Sequence, residues 1–267
     1  MGRNRIEEKL TDLKHRGEKA FVAYITAGDP DLEKTQEIAL ALEQSGVDIL
    51  EIGVPFSDPT ADGPVIQEAS QRALCNGTTL SGILDMIGSL RQKSELPIVL
   101  FSYFNPIFSL GVEAFAQRAA RAGIDGVLVV DLPAEEAGEL KKYTDAQGIK
   151  FIFLLAPTSG ERRIRAAAAK GSGFLYYISV TGVTGTQLPQ AELIEADVKV
   201  IKKYTDLPVV SGFGISSPEA AARIAQKVDG IVIGSAFMKI ICEGAGDDLI
   251  GKIRDFAVNV RKGISLA

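Results

Sequence analysis

Val47-Asp48-Ile49-Leu50-Glu51-Ile52-Gly53-Val54-Pro55-Phe56-Ser57-Asp58-Pro59-Thr60-Ala61-Asp62-Gly63-Pro64 is the stretch from which the fold is read. Residues 47–50 form a short apolar strand, and Glu51 follows where another apolar side chain is expected. Gly53, Pro55, Pro59 and Pro64 then punctuate a long, stiffened loop that bears Asp58 and Asp62. A carboxylate at the end of an apolar strand is costly to bury without a partner or a task. Glu51 either caps a neighbouring helix or pairs with an arginine, or it performs chemistry; the strand alone leaves both open.

The unit of strand, loop and helix recurs on both sides of this stretch. Before it, residues 6–16 have the spacing of an amphipathic helix, residues 21–26 form a strand and residues 31–44 a helix ended by Gly46. After it come helices at 65–74 and 80–93, a strand at 98–101 and a helix at 112–122. A strand at 126–130, a helix at 134–147, a strand at 150–155 and a helix at 160–170 follow. The remainder reads as strand 174–179, helix 191–204, strand 208–211, helix 218–226, strand 230–233 and helix 249–261. The strands are short and apolar on both faces, as in a parallel sheet covered by helices.

Eight such units without a linker or a low-complexity tract match one closed α/β barrel. The expectation is a single (β/α)8 TIM barrel spanning residues 1–267, with an extra N-terminal helix and additional helices after strands 2 and 8. A doubly wound open sheet is the alternative, but the dinucleotide fingerprint after the first strand is missing.

Bulk properties narrow the function. The 267 residues are 46% hydrophobic and 24% charged, which describes a folded chain and not a disordered one. A net charge of -5 offers no basic stripe for nucleic acid. No apolar run approaches the roughly 18 residues of a membrane span. Two distant cysteines, Cys75 and Cys242, and a charged N-terminus without a secretion signal suit a cytoplasmic protein with reduced thiols. His15, the only histidine, lies between Lys14 and Arg16 and is expected in solvent.

In a barrel of this kind the chemistry sits at the C-terminal ends of the strands. Those ends present Thr26, Glu51, Tyr103 with Asn105, Asp131, Pro157, Ser179 with Thr181, residues 212–214, and Gly234-Ser235. No lysine stands there for a Schiff base and no histidine for zinc. Magnesium would have only Glu51, Asp58 and Asp62. Proton transfer therefore falls to carboxylates or tyrosine, and no metal or cofactor is expected. The glycine-rich exits of the last two strands, around Gly212-Phe213-Gly214 and Gly234-Ser235, suit a phosphate cradle or are turn glycines. The small, hydroxylated loop 180–187 suits a lid or is an ordinary exposed loop.

These residues carry a resemblance. Residues 50–64, together with Thr26-Ala27-Gly28-Asp29-Pro30, Val130-Asp131-Leu132-Pro133, Ser179-Val180-Thr181-Gly182-Val183-Thr184-Gly185, Gly212-Phe213-Gly214-Ile215-Ser216 and Ile233-Gly234-Ser235, resemble the signatures of the tryptophan synthase alpha chain family. The resemblance implies cleavage of indole-3-glycerol phosphate to indole and glyceraldehyde 3-phosphate. It also implies a beta-chain partner in an alpha2-beta2 heterotetramer that receives the indole through a tunnel. Glu51 is then the expected general acid/base and Asp62 the acceptor of the indole N–H, held by Thr184. Phe21, Phe101, Leu128 and Tyr176 are expected to line the ring pocket. Gly185, Phe213, Gly214, Gly234 and Ser235 are expected to hold the phosphate, and Asp58 to meet the partner. A stand-alone indole-releasing lyase and a non-catalytic phosphate-binding barrel are the rival readings.

Overall fold

The computed structural model describes residues 4–178, 191–212, 217–244 and 248–265. Among them α1 (Arg5–Arg16) precedes β1 (Ala20–Thr26), α2 (Leu32–Gln44) and β2 (Ile49–Gly53). Helices α3 (Pro64–Cys75) and α4 (Leu80–Leu90) lead to β3 (Ile98–Ser102), and α5 (Phe104–Leu110) and α6 (Val112–Ala122) to β4 (Gly126–Val129). Then come α7 (Gly138–Ala146), β5 (Lys150–Leu155), α8 (Glu161–Lys170), β6 (Leu175–Ile178) and α9 (Ala191–Ile201). The order ends with β7 (Val209–Gly212), α10 (Pro218–Ala225), β8 (Gly230–Ile233), α11 (Ser235–Glu243) and α12 (Leu249–Ser265). The eight strands pair in chain order, all parallel, and β1 closes on β8. This is the expected (β/α)8 barrel, with the expected helix before β1 and the expected additional helices after β2 and β8.

Three differences from the sequence reading bear on the layout of the site end. β2 begins two residues later and ends at Gly53, so Glu51 lies inside the strand, paired with Tyr24 and Val99, and not beyond its end. Helix α5 was not expected. Its Pro106 falls in the first turn, where a missing N–H costs nothing, and Asp131 accepts the Phe104 N–H at 2.7 Å. Helix α7 starts four residues late because Glu136 and Ala137 both donate to the Pro133 carbonyl in a turn.

The N-terminal face of the barrel is held by a device repeated four times. Asp48 donates its N–H to the Phe21 carbonyl, and its carboxylate accepts the Phe21 N–H at 2.9 Å. Asp125 makes the same reciprocal pair with Ile98 (2.8 Å), Ser172 with Phe151 (2.9 Å) and Asp229 with Val209 (2.8 Å). In each case a side chain just before an even-numbered strand satisfies the backbone at the start of the preceding odd-numbered one. The aspartates are in turn neutralised: Asp48 by Arg261, Asp125 by Arg91 and Arg5, and Asp229 by Lys202. α1 plugs the same end. Ile6 is fully buried, and a Cβ on Gly126 would run into Ile6, Ile152 and Val99 inside the barrel.

The Asp125 carboxyl is pushed up by burial, an effect opposed by the Ile98 N–H and by Arg91. Arg91 is itself buried. Asp125→Ala should therefore leave an uncompensated buried guanidinium and lower unfolding stability by about 3–5 kcal/mol. A denaturant midpoint within error of the parent would show that the charge pair is not needed to hold this face.

Candidate active site

Glu51 stands on the inner face of β2, wholly buried, and neither carboxyl oxygen has a hydrogen-bond partner among the described residues. Burial pushes its carboxyl from 4.5 up to about 8. A carboxyl there is stable when protonated and costly when ionised, which suits a group that exchanges protons near neutrality. No arginine pairs with it and no helix is capped by it among the described residues, so the structural alternative for Glu51 has no support there.

Side chains alternate along a strand, and laterally paired residues share a face. The register Tyr24↔Glu51↔Val99 therefore turns Tyr24 inward beside Glu51. One step toward the C-terminal end lies the register Thr26↔Gly53↔Phe101↔Leu128, also inward. Gly53 makes room for Tyr24, since any Cβ there would collide with the phenol hydroxyl. Gly212 makes the corresponding room for Tyr176. The Tyr176 hydroxyl is pushed well up by burial, with a smaller contribution from the nearby Glu51 charge.

Asp62 approaches from the loop after β2. Tyr103, at the end of β3, fixes that loop at two points. Its hydroxyl donates to Asp62 Oδ2 at 3.2 Å and accepts the Ala61 N–H at 3.0 Å. Its ring lies 5.0 Å from Phe56. The Asp62 carbonyl also accepts from Gln67 Nε2 at 2.8 Å. Burial raises the Asp62 carboxyl, and the Tyr103 hydrogen bond opposes this. Burial likewise pushes the Tyr103 phenol up to about 12. Asp58 is exposed and bonded to Ser57 Oγ.

Of the residues expected from sequence, Glu51, Asp62, Phe101, Leu128 and Tyr176 meet at this end of the barrel. Gly234 joins them, because a Cβ there would touch the Tyr24 ring at 3.2 Å, and Ser235 begins α11 beside it. Thr184, Gly185, Phe213 and Gly214 lie outside the described residues. Phe21 is not brought to the site. It faces outward, 6.4 Å from Phe237 of α11 and under the Arg261 guanidinium of α12. The inward ring of β1 is Tyr24, which stands edge-on to Phe101 at 5.3 Å. Tyr24 is the side chain that sequence reasoning passed over, while Tyr103, already counted among the strand ends, receives its task of holding the Asp62 loop only from the structure. Phe21 and Tyr24 are three positions apart, so they point to opposite faces, and a strand buried on both faces gives no sign of which is which.

A family model described as tryptophan synthase alpha chain matches residues 10–264. The tryptophan synthase alpha chain of Geotalea uraniireducens (strain Rf4) is 51% identical over 261 residues, covering 98% of each chain. That of Geobacter sulfurreducens is 49% identical over 98% of this chain and 99% of the relative. Among solved structures, tryptophan synthase subunit alpha from Legionella pneumophila str. Paris superposes with a TM-score of 0.93 at 36% identity, over 100% of both chains. A chain of tryptophan synthase from M. tuberculosis, in an open form with BRD0059 bound, gives 0.88 at 31% identity, over 99% and 100%.

The raised Glu51 carboxyl has a consequence for stability. Between 4.5 and about 8 the folded chain holds a proton that the unfolded chain releases. Stability contributed by this residue therefore falls as pH rises through that window. Glu51→Gln, which mimics the protonated form, should match the parent at about pH 5 and exceed it at about pH 8.5 by on the order of a few kcal/mol. Denaturant titrations at the two pH values check this, and equal differences at both would place the Glu51 proton elsewhere.

Proposed function

The chain belongs to the tryptophan synthase alpha chain family, and from that premise we propose how its own residues perform the family's reaction. The reaction is the cleavage of indole-3-glycerol phosphate to indole and glyceraldehyde 3-phosphate in tryptophan biosynthesis. Breaking the carbon–carbon bond requires an electron sink, and an indole ring protonated at C3 is one. Glu51 delivers that proton, and its carboxylate then takes one from the glycerol hydroxyl beside the breaking bond, returning to the acid. Asp62 accepts the indole N–H and stabilises positive charge on the ring. Phe101, Leu128 and Tyr176, with Tyr24, form the ring pocket. The backbone N–H groups that open α11 at Ser235 receive the phosphate beside Gly234. Gly185, Phe213 and Gly214 complete that cradle in this reading, and Thr184 steadies Asp62.

The observation that carries the reading is Glu51 itself: a fully buried carboxyl without a hydrogen-bond partner among the described residues, on the same barrel end as Asp62. Glu51→Gln should lower kcat on the order of a thousandfold with substrate still bound, and Asp62→Asn about a hundredfold. Indole release measured for both decides it, and near-parental turnover by Glu51→Gln would remove that residue from the chemistry.

The family implies a beta chain as partner, and we infer an alpha2-beta2 assembly working in the cytoplasm, with the chain acting as a single domain. Phe108 supports a docking face beside the site. It is 62% exposed on α5, 5.8 Å from the Phe104 ring, next in the chain to Tyr103. Asp58, exposed on the loop that Tyr103 holds, is assigned to the partner contact in the same reading. Phe108→Asp should weaken beta-chain affinity about tenfold or more by placing charge in an apolar contact, while leaving isolated-chain indole release intact. Unchanged affinity in a titration would move the interface elsewhere.

A further inference from the structure

Tyr24 is more than a wall of the pocket. Its ring fits a slot left by two glycines: a Cβ on Gly53 would strike the hydroxyl, and one on Gly234 would press on the ring at 3.2–3.4 Å. Phe101 holds it edge-on. The hydroxyl therefore sits one inward position above Glu51, toward the open end, where it feels the charges of both Asp62 and Glu51. Its single hydrogen-bond partner among the described residues is the Thr26 hydroxyl at 3.3 Å, too long to commit the phenolic proton. Glu51 is faced by Tyr24 from β1 and Tyr176 from β6, with Asp62 and Tyr103 beyond Tyr24. Tyr24 alone of the two phenols is coupled to both carboxyls.

We propose that Tyr24 is a positioning residue for the cleavage: when Glu51 has given its proton to the ring, the Tyr24 hydroxyl turns from Thr26 and donates to the Glu51 carboxylate. Thr26 then donates to the phenol oxygen, so the anion is met by a short hydroxyl chain. When Glu51 takes the glycerol proton, the phenol returns to Thr26. No proton is gained or lost by Tyr24. The proposal rests on the assignment of Glu51 as the acid/base.

The test is the pH profile of kcat/KM for indole release by the chain with its beta chain present. A donor to the carboxylate favours ionisation, so removing it raises the basic limb. Tyr24→Phe should move that limb upward by about half a unit or more and lower kcat about tenfold, with KM little changed. Thr26→Val should move the limb in the same direction by less. A limb unmoved in both variants, whatever happens to kcat, overturns the proposal and reduces Tyr24 to packing. Glu51→Gln in the same assay separates the two readings. If it is inactive while the limb stays fixed, only the Tyr24 proposal fails; if it is active, the acid/base assignment fails first.

Discussion

The constraint on which the site depends is one carboxyl kept out of water. Glu51 sits in a ring of apolar strands, and nothing among the described residues neutralises it. Ordinary protein construction avoids this, because an unpaired buried charge is among the most costly features a fold can hold. The cost disappears while the group is protonated, which is why burial and a carboxyl near 8 are one fact seen twice. Around it the barrel makes room. Gly53 and Gly212 lack side chains where phenol hydroxyls must lie, and Gly234 lacks one where the Tyr24 ring must lie.

The two ends of the barrel solve opposite electrostatic problems. At the N-terminal end Asp48, Asp125 and Asp229 each accept a backbone N–H and face a basic side chain, so their charges are satisfied in place. At the C-terminal end Glu51 is left without such partners, and Asp62 has only Tyr103 among the described side chains. Complete satisfaction gives rigidity; incomplete satisfaction leaves capacity to bind and move protons. The loops follow the same division. The β1–α2 loop is clamped by a bidentate Arg72–Asp29 pair at 2.8–2.9 Å. The loop bearing Asp62 is held at its backbone by Gln67 at 2.8 Å and otherwise through the Tyr103 hydroxyl, by two longer bonds that a substrate could exchange for its own.

Much of this was legible in the chain. Periodicity and glycine punctuation suffice for eight strand–helix units, because helices of the outer layer keep a polar face and strands of the inner layer do not. Glu51 stood out because a carboxylate breaks an apolar run, and the loop beyond it stood out by its prolines. Asp48, the second residue of the same stretch, reads by sequence as part of the strand. Its task, closing the N-terminal face with Phe21 and Arg261, depends on residues 27 and 213 positions away.

Local composition and spacing thus determined the barrel, the helix before β1, the helices added after β2 and β8, and Glu51 as the carboxyl that breaks an apolar strand, while the family resemblance singled out Asp62 from its loop neighbour Asp58. Tertiary structure alone decided which face each β1 side chain takes. In Ala20–Thr26 every residue is buried, on one side by the barrel interior and on the other by helices, so polarity does not mark the inward set. Only the register with β2 turns Tyr24 toward Glu51 and Phe21 toward Phe237. Register is a property of pairs of strands, set by closure of the whole ring, and no single strand contains it.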